Sequence, residues 1–170
     1  QRILFVMAFK TINYKPVSDL KELADPFIEI DVLGFTGSKD GMTQQQYLTA
    51  IWFTDIIKFK KAIHGDCVGS DAQFHDIVRD TDPSIPIEIY PALNANYRAF
   101  KKGDVIHPSM KALDRDKVMA NIADVMLATP PTPQEILRSG TWATIRYARK
   151  SNTVKKVIII SPDGEFAIEE

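Results

Sequence analysis

The stretch KKVIIIS (residues 155–161) places four apolar, β-branched residues in a row, from Val157 to Ile160. A strand with one face in water alternates apolar and polar side chains, so an uninterrupted run predicts a strand that is buried on both faces. Such strands are typical of parallel sheets that carry helices on either side. The stretch therefore favours an α/β fold.

Similar short runs recur along the chain and are separated by segments with helical spacing. The predicted strands are residues 2–9, 27–35, 61–65, 85–90, 123–129 and 155–161. The predicted helices are centred on Leu48, Ile51, Trp52 and Ile56, on Ile77 and Val78, on Val118 and Ile122, and on Ile145 and Ala148. This alternation predicts an α/β sandwich with a central, mainly parallel sheet flanked by helices. Residues 161–170 predict a turn and a final short edge strand.

Composition limits the class of protein. The chain has 170 residues, 45% of them hydrophobic and 25% charged, which fits one globular domain over residues 1–170. The formal net charge of -1 gives no overall attraction to nucleic acid or to an anionic membrane. A single cysteine, Cys67, excludes an intrachain disulfide, and no apolar run has the length of a membrane span. We expect a cytoplasmic protein whose first 30 residues add a strand and a short helix, PVSDLKELA, to the main alternation.

Local chemistry predicts three helix starts and two covering loops. The predicted starts are Thr43 with Gln46, Ser70 with Gln73, and Thr132 with Pro133 and Glu135, each of which fits an N-terminal cap or a capping box. The predicted mobile loops are residues 94–108 and 130–139, which could cover a site.

Three glycine-containing corners follow predicted strands: GFTGSKDGMT (34–43, the first corner), HGDCVGSD (64–71, the second) and RSGT (138–141, the third). In an open parallel sheet the carboxyl ends of the strands meet at one edge, where helix N-termini also converge. Glycine lets the backbone approach a ligand, and free N–H groups at a helix start attract an anion such as a phosphate. One such turn also occurs for purely structural reasons. Three of them on one rim favour a phosphate-bearing ligand.

The candidate ligand-binding residues are Thr36, Gly37, Ser38, Asp66, Gly69, Ser70, Arg98, Arg138, Ser139, Gly140 and Thr141. Arg138 and Arg98 are the expected phosphate partners, because a guanidinium makes charge-assisted hydrogen bonds to phosphate. For Asp66 and Asp71 we expect a ribose hydroxyl or a bound cation, since a carboxylate repels phosphate. The alternative is that they cap the turn and the helix start, which we favour for Asp71.

The segments GFTGSKDGMT, HGDCVGSDAQFHDI, ADVMLATP and SGTWATIRYARK, in this order, resemble the SLOG superfamily of Rossmann-like nucleotide-binding proteins. That superfamily includes the LOG phosphoribohydrolases, the DprA recombination mediators and nucleotide-sensing domains of antiviral systems. The resemblance covers roughly residues 31–162, with Gly65 and Gly69 in the glycine-rich motif and Gly140 and Thr141 in the Gly-Thr motif. It implies a Rossmann-like three-layer sandwich that binds a nucleotide or nucleotide-derived signal as a sensor, carrier or sequestering protein.

The chain departs from the LOG motif at the catalytic position. Aligned on Gly140 and Thr141, the LOG glutamate that serves N-glycosidic cleavage is replaced by Thr144. The alternative function is therefore a hydrolase or transferase that uses another carboxylate. Asp66, Asp71 and Glu135 are the candidates, and no catalytic residue is assigned.

The sequence predicts no metal and no cofactor. His64, Cys67 and His75 fall on a strand, a loop and a helix, without a second ligand pair at zinc-like spacing. The expected partners are a nucleotide-derived small molecule and further copies of the chain, as a dimer or larger. The second expectation comes from the resemblance and from apolar helices that one small sheet does not cover. Nucleic acid is not an expected partner, because no basic and aromatic stacking platform is evident.

Overall fold

The described residues alternate strands and helices, as the hydrophobic runs predict. The structure is a computed structural model, and it describes residues 9–23 and 29–170. Its elements are β1 (Ile30–Gly37), α1 (Gln44–Ile56), β2 (Phe59–His64), α2 (Ser70–Thr81), β3 (Ile87–Ile89), β4 (Val105–Ile106), α3 (Ala112–Ile122), β5 (Val125–Thr129), α4 (Gly140–Lys150), β6 (Lys156–Ile160) and β7 (Phe166–Glu169). Short 3-10 helices occupy Val17–Glu22 and Ala95–Tyr97.

The strands form one sheet in the order β4-β3-β2-β1-β5-β6-β7. Every neighbouring pair is parallel except β6 and β7, which are antiparallel. The run from Val157 to Ile160 is buried along its whole length. The predicted α/β class, the mainly parallel sheet and the final edge strand are confirmed.

Helices cover both faces of the sheet and make it the middle of three layers. Apolar side chains of α1 and α2, such as Phe53 and Phe74, form one core cluster against the sheet. Side chains of α3 and α4, such as Met119 and Trp142, form a second cluster. Helices α1 and α2, which connect β1, β2 and β3, cover one face, whereas α3, which returns the chain to β5, and α4, which follows β5, cover the other. The loops after β1 and β5 therefore part at the carboxyl edge and leave a crevice, the usual ligand position in such sheets.

Only part of the N-terminal prediction falls within the described residues. The strand predicted over residues 2–9 lies outside them except for its last residue, which belongs to no strand. The predicted short helix is a 3-10 helix at Val17–Glu22, and Lys15 before it pairs with Phe166 of β7. In the described part of the chain, no helix combines the length and hydropathy needed to cross a bilayer.

The capping predictions succeed at α1 and fail at α2. Thr43 and Gln46 form the predicted capping box, with the Gln46 N–H donating to Thr43 Oγ1 at 3.0 Å. At α2 the N-cap is Gly69, not Ser70, and its φ of 86° and ψ of -123° favour glycine. The Gln73 side chain does not close a capping box, since it accepts the Met42 N–H at 2.8 Å.

The helix start predicted at Thr132 is wrong. Residues 130–139 contain no helix, and α4 begins at Gly140 with Ser139 as its cap. The Glu135 side chain, which the predicted start needs in its first turn, is instead held by arginines of α4. The Thr132 hydroxyl instead donates to the Gln134 carbonyl at 2.7 Å and accepts the Trp142 indole N–H at 3.0 Å.

Both predicted covering loops are held by contacts. Residues 94–108 contain the 3-10 helix Ala95–Tyr97 and strand β4, which the sequence did not indicate. Two backbone hydrogen bonds hold this segment against the second corner. The Val68 N–H donates to the Tyr97 carbonyl and the Ala99 N–H donates to the Asp66 carbonyl, each at 2.8 Å. In the loop 130–139, the Tyr14 hydroxyl donates to the Pro133 carbonyl at 2.6 Å.

Candidate functional site

A cavity of about 660 Å³ opens in the crevice at the carboxyl edge of the sheet. Residues from all three corners line it, together with the loop after β3 and the first turns of α3. The predicted ligand residues that line the cavity are Thr36, Gly37, Ser38, Arg138, Ser139, Gly140 and Thr141. Asp66, Gly69, Ser70 and Arg98 are not among its lining residues.

The third corner presents free donors to this cavity. The Ser139 side chain caps α4 by accepting the Trp142 N–H at 3.3 Å, and its carbonyl accepts the Ala143 N–H at 2.9 Å. The N–H groups of Gly140 and Thr141 have no acceptor among the described residues. A Cβ added at Gly140 would meet no atom within 4 Å, so nothing obstructs the approach of a ligand. These features suit a negatively charged group at the start of an eleven-residue helix.

Two cationic side chains, those of Arg138 and Lys39, line the cavity. Arg138 is exposed and makes no ion pair with the described residues. Lys39, from the first corner, is also exposed, and its Nζ lies 5.3 Å from the centre of the Tyr97 ring. Ser38, which also lines the cavity, donates its N–H to the Thr129 carbonyl at 3.2 Å. The rim therefore favours a negatively charged group.

The second corner has a different character, because a carboxylate occupies it. Asp71 lines the cavity and accepts the Cys67 N–H at 3.1 Å. Burial raises the pKa of Asp71 to about 6, although the Arg115 charge opposes this shift. Burial also raises the pKa of the Cys67 thiol to about 12, which keeps it protonated near neutral pH. This corner disfavours an anion.

Gly69 and Ser70 serve the fold at this corner. The Ser70 N–H donates to the Ser38 carbonyl at 3.0 Å, which joins the second corner to the first. A Cβ at Gly69 would approach the Lys39 carbonyl oxygen to 2.3 Å, so glycine is needed for packing as well as for its backbone angles.

Asp66 and Arg98 bind each other. Asp66 is fully buried, and its Oδ2 accepts from Arg98 Nη2 at 3.0 Å and from Arg98 Nε at 3.2 Å. Its Oδ1 accepts the Lys101 N–H at 3.0 Å. The pair fastens the loop after β3 to the second corner, and the sequence-based assignment of both residues to the ligand finds no support in this geometry.

The floor of the cavity carries three charged residues, of which sequence reasoning considered Asp71 alone as functional. We call Asp71, Arg115 and Asp116 the floor cluster. Arg115 Nη1 donates to the carbonyls of Gly65 and Tyr90, each at 3.0 Å, and its Nε donates to Asp116 Oδ1 at 2.6 Å. Burial raises the pKa of Asp116, while Arg115 and the Thr144 side chain act in the opposite direction.

A pattern in the sequence could have revealed this cluster. Met119 and Ala120 are buried on the inner face of α3, and Arg115 and Asp116 precede them by one turn on that same face. Charged residues that continue an apolar helix face are buried charges, and buried charges need a specific reason.

Thr144, the position of the missing LOG glutamate, lies beside this cluster. Its hydroxyl donates to the Gly140 carbonyl at 3.0 Å and also interacts with the Asp116 carboxylate. Of the substitute carboxylates considered from sequence, only Asp71 reaches the cavity. Glu135 is occupied by Arg146 and Arg149, each at 2.9 Å.

Within the described residues, no group of three or more His, Cys, Asp or Glu side chains could hold a metal ion. His64 and His75 do lie close together, with His64 Nε2 2.9 Å from His75 Nδ1. Cys67 lies apart from them at the cavity wall, where Arg115 Nη2 approaches its sulfur to 3.7 Å.

No protein-family model, curated protein or solved structure matches this chain. What the site can do is therefore inferred from its own geometry.

We expect His64 to stay neutral down to about pH 3. Its Nδ1 accepts the Asp66 N–H at 2.9 Å and so carries no proton, which leaves Nε2–H to donate to His75. Burial is the main cause that lowers the pKa of His64 to about 3. Below pH 6.5 this histidine is protonated in the unfolded chain but stays neutral in the folded chain. Lowering the pH therefore reduces the free energy of unfolding, by at most about 1.4 kcal/mol per pH unit from His64. Nitrogen NMR of the imidazole rings tests this, and titration of His64 near pH 6.5 would contradict it.

Proposed function

We propose that the chain binds a nucleotide or nucleotide-derived signalling ligand, with a phosphate at the start of α4, and acts as a sensor, carrier or sequestering protein. One observation carries the proposal. The open N–H groups of Gly140 and Thr141 and the unpaired Arg138 converge on one side of the large cavity. The positive end of the helix dipole adds to their attraction for a phosphate.

The rest of the cavity suits the other parts of a nucleotide. Its volume falls within the range of about 300 to 1,000 Å³ that small-molecule sites occupy. Leu113 and Met119 of α3 and Ile136 of the loop before α4 supply apolar wall, against which a base can pack. Tyr97 lines the cavity near its mouth and can stack on a ring.

The resemblance to the SLOG superfamily supports the same proposal. Gly140 and Thr141, which match its Gly-Thr motif, line the cavity, and so does Gly65 of the glycine-rich motif. Gly69 of that motif does not line the cavity but allows the backbone turn that shapes the second corner.

A second candidate function is cleavage or transfer at an N-glycosidic bond. The observation that favours it is the packing of α3 against α4, which brings Asp116 near Thr144. Asp116 brings a carboxylate from α3 to the position that the LOG motif fills with a glutamate from the helix itself. A carboxylate there stabilises the positive charge that develops on the sugar as the bond breaks.

We also propose that the protein forms a homo-oligomer, a dimer or larger, through the outer face of α1. Leu48, Ile51 and Trp52 lie on one side of this helix at spacings of three and four residues. Leu48 is 60% exposed, while Ile51 and Trp52 are half-buried. The helix carries a single charged residue, Asp55, and interface cores are depleted of charge.

Substitutions at the third corner test phosphate binding. Gly140→Val places a side chain in the open approach and should abolish binding, while the melting temperature stays near that of the wild type. Arg138→Ala removes a charge-assisted hydrogen bond of about 1.5 to 3 kcal/mol, or roughly 10- to 150-fold in affinity. Lys150→Ala is the matched control, since it removes the same charge at the other end of α4. The measurement is calorimetric titration with nucleoside mono-, di- and triphosphates, and full-strength binding by Gly140→Val would contradict the proposal.

Chromatography of the same nucleotides after incubation with the protein separates the two functions. We expect every ligand to be recovered intact, because Asp116 is already held by Arg115. Release of a free base that Asp116→Asn loses and Asp114→Asn keeps would instead establish the hydrolase. Asp114 is a suitable control, since it is an exposed aspartate on the same helix.

Sedimentation at micromolar concentration tests self-association. The wild type should sediment as a dimer or larger, and Leu48→Glu should sediment as a monomer because it buries a charge in the interface. Leu93→Glu, at another leucine that is 60% exposed, should leave the assembly unchanged. A monomeric wild type would contradict this part of the proposal.

A further inference from the structure

The floor cluster buries three charged groups at the cavity without using all their hydrogen-bonding capacity. Asp71 is 5% exposed, and Arg115 and Asp116 are each 6% exposed, yet all three line the cavity. Among the described residues, Asp71 accepts only from Cys67, and Asp116 accepts from Arg115 and interacts with Thr144. An ionised carboxylate can accept about four hydrogen bonds. Both carboxylates therefore keep acceptor sites for a ligand.

Arg115 likewise keeps a donor. Its Nε and Nη1 hydrogens are taken by Asp116, Gly65 and Tyr90. Its Nη2 has only the Cys67 sulfur, at 3.7 Å, for its two hydrogens. An N–H of Nη2 is thus available between the two carboxylates that interact with this guanidinium.

The chemistry of the cluster restricts what part of a ligand it can bind. A phosphate would meet two carboxylates at close range, and an ammonium group would meet the Arg115 guanidinium. A hydroxyl group suits both neighbours, because its hydrogen donates to a carboxylate while its oxygen accepts from an N–H. Two adjacent hydroxyls suit the whole cluster, because one can donate to Asp71 and the other to Asp116 while the Arg115 N–H donates to a hydroxyl oxygen.

The cluster also lies where a sugar would follow a phosphate bound at α4. Asp116 interacts with Thr144, which comes four residues after Gly140 and so lies about 6 Å deeper along the helix axis. A phosphate at Gly140 would thus have the cluster below it, one turn further into the molecule.

We propose that the floor cluster binds the adjacent 2′- and 3′-hydroxyls of a ribose, so that the site selects ribonucleotides over 2′-deoxyribonucleotides. This rests on the proposed function, since it presumes a phosphate at the third corner. A 2′-deoxy ligand leaves one buried charged group without its hydrogen bond. That loss lowers affinity by roughly 10- to 150-fold.

Matched pairs of ligands test the proposal. The probes are adenosine, guanosine and cytidine 5′-monophosphates, each titrated calorimetrically beside its 2′-deoxy form, with inorganic phosphate as a third ligand. The wild type should prefer the ribo form of whichever pair it binds by at least about tenfold. Of Asp71→Asn and Asp116→Asn, the variant at the carboxylate that accepts the 2′-hydroxyl should bring this ratio below about threefold, since asparagine keeps the shape but accepts fewer bonds. The variant at the other carboxylate should weaken both forms alike, because the 2′-deoxy form keeps its 3′-hydroxyl.

Two controls change the same charge outside the cavity. Asp76→Asn on α2 and Asp114→Asn on α3 replace exposed aspartates and should keep the full ribo preference. Melting temperatures of all four variants show whether each is folded, and both cavity variants are measured because each carboxylate accepts from a different hydroxyl.

The possible failures are distinguishable. Equal affinity of the wild type for the ribo and deoxy forms would overturn the ribose proposal while leaving phosphate binding in place. An unchanged ribo preference in both Asp71→Asn and Asp116→Asn would overturn the role of the cluster. Absence of binding to every probe, inorganic phosphate included, would overturn the proposed function and this inference with it.

Discussion

The parallel pairing of β1 with β5 determines where the cavity lies. Gly37 pairs with Thr129 although 92 residues separate them, so the loops after these two strands begin side by side. Both strands are buried on both faces, and a shift of register would move every side chain out of its packing position. Because α1 and α4 then cover opposite faces of the sheet, the two loops diverge as they leave it. The crevice follows from this topology and needs no special sequence of its own.

The charges in the crevice differ between its rim and its floor. Folding alone explains the crevice but not this arrangement of charge. The rim carries Lys39, Arg138 and the free N–H groups of α4, whereas the floor buries Arg115 between two carboxylates. Burial of ions costs several kcal/mol each, and apolar residues of similar volume often stabilise a protein as well or better. Arg115 does join the second corner, the end of β3 and α3 through its hydrogen bonds. Its remaining donor and the open carboxylate oxygens serve no contact within the described residues, which favours a binding role.

The sequence predicted the elements whose chemistry is local and missed those that depend on distant partners. Short β-branched or continuous apolar runs predicted β1, β2, β3, β5 and β6, and the turn signal over residues 161–170 predicted β7, whereas β4 was missed because its two residues are too few to form a pattern. The signal at Thr132 was overridden by distant contacts, since the Thr132 hydroxyl bonds the Trp142 indole and Glu135 pairs with arginines of α4. Asp66 and Arg98 were both assigned to the ligand because nothing local shows that residues 32 positions apart neutralise each other. The third corner was found because a helix cap and a glycine are adjacent in sequence, whereas the floor cluster needed the packing of α3 to reveal it.

The two carboxylates of the floor cluster are not equivalent, and the difference bears on whether the site can do chemistry. Asp116 is held by a 2.6 Å bond from Arg115, whose charge opposes the rise that burial causes in the pKa of this carboxyl. Asp71 has no cationic hydrogen-bond donor among the described residues, and burial raises its pKa to about 6. A carboxyl group with this pKa can hold or release a proton near neutral pH, which general acid-base catalysis requires. If the bond to the base is cleaved here, Asp116 would stabilise the charge on the sugar and Asp71 would move the proton.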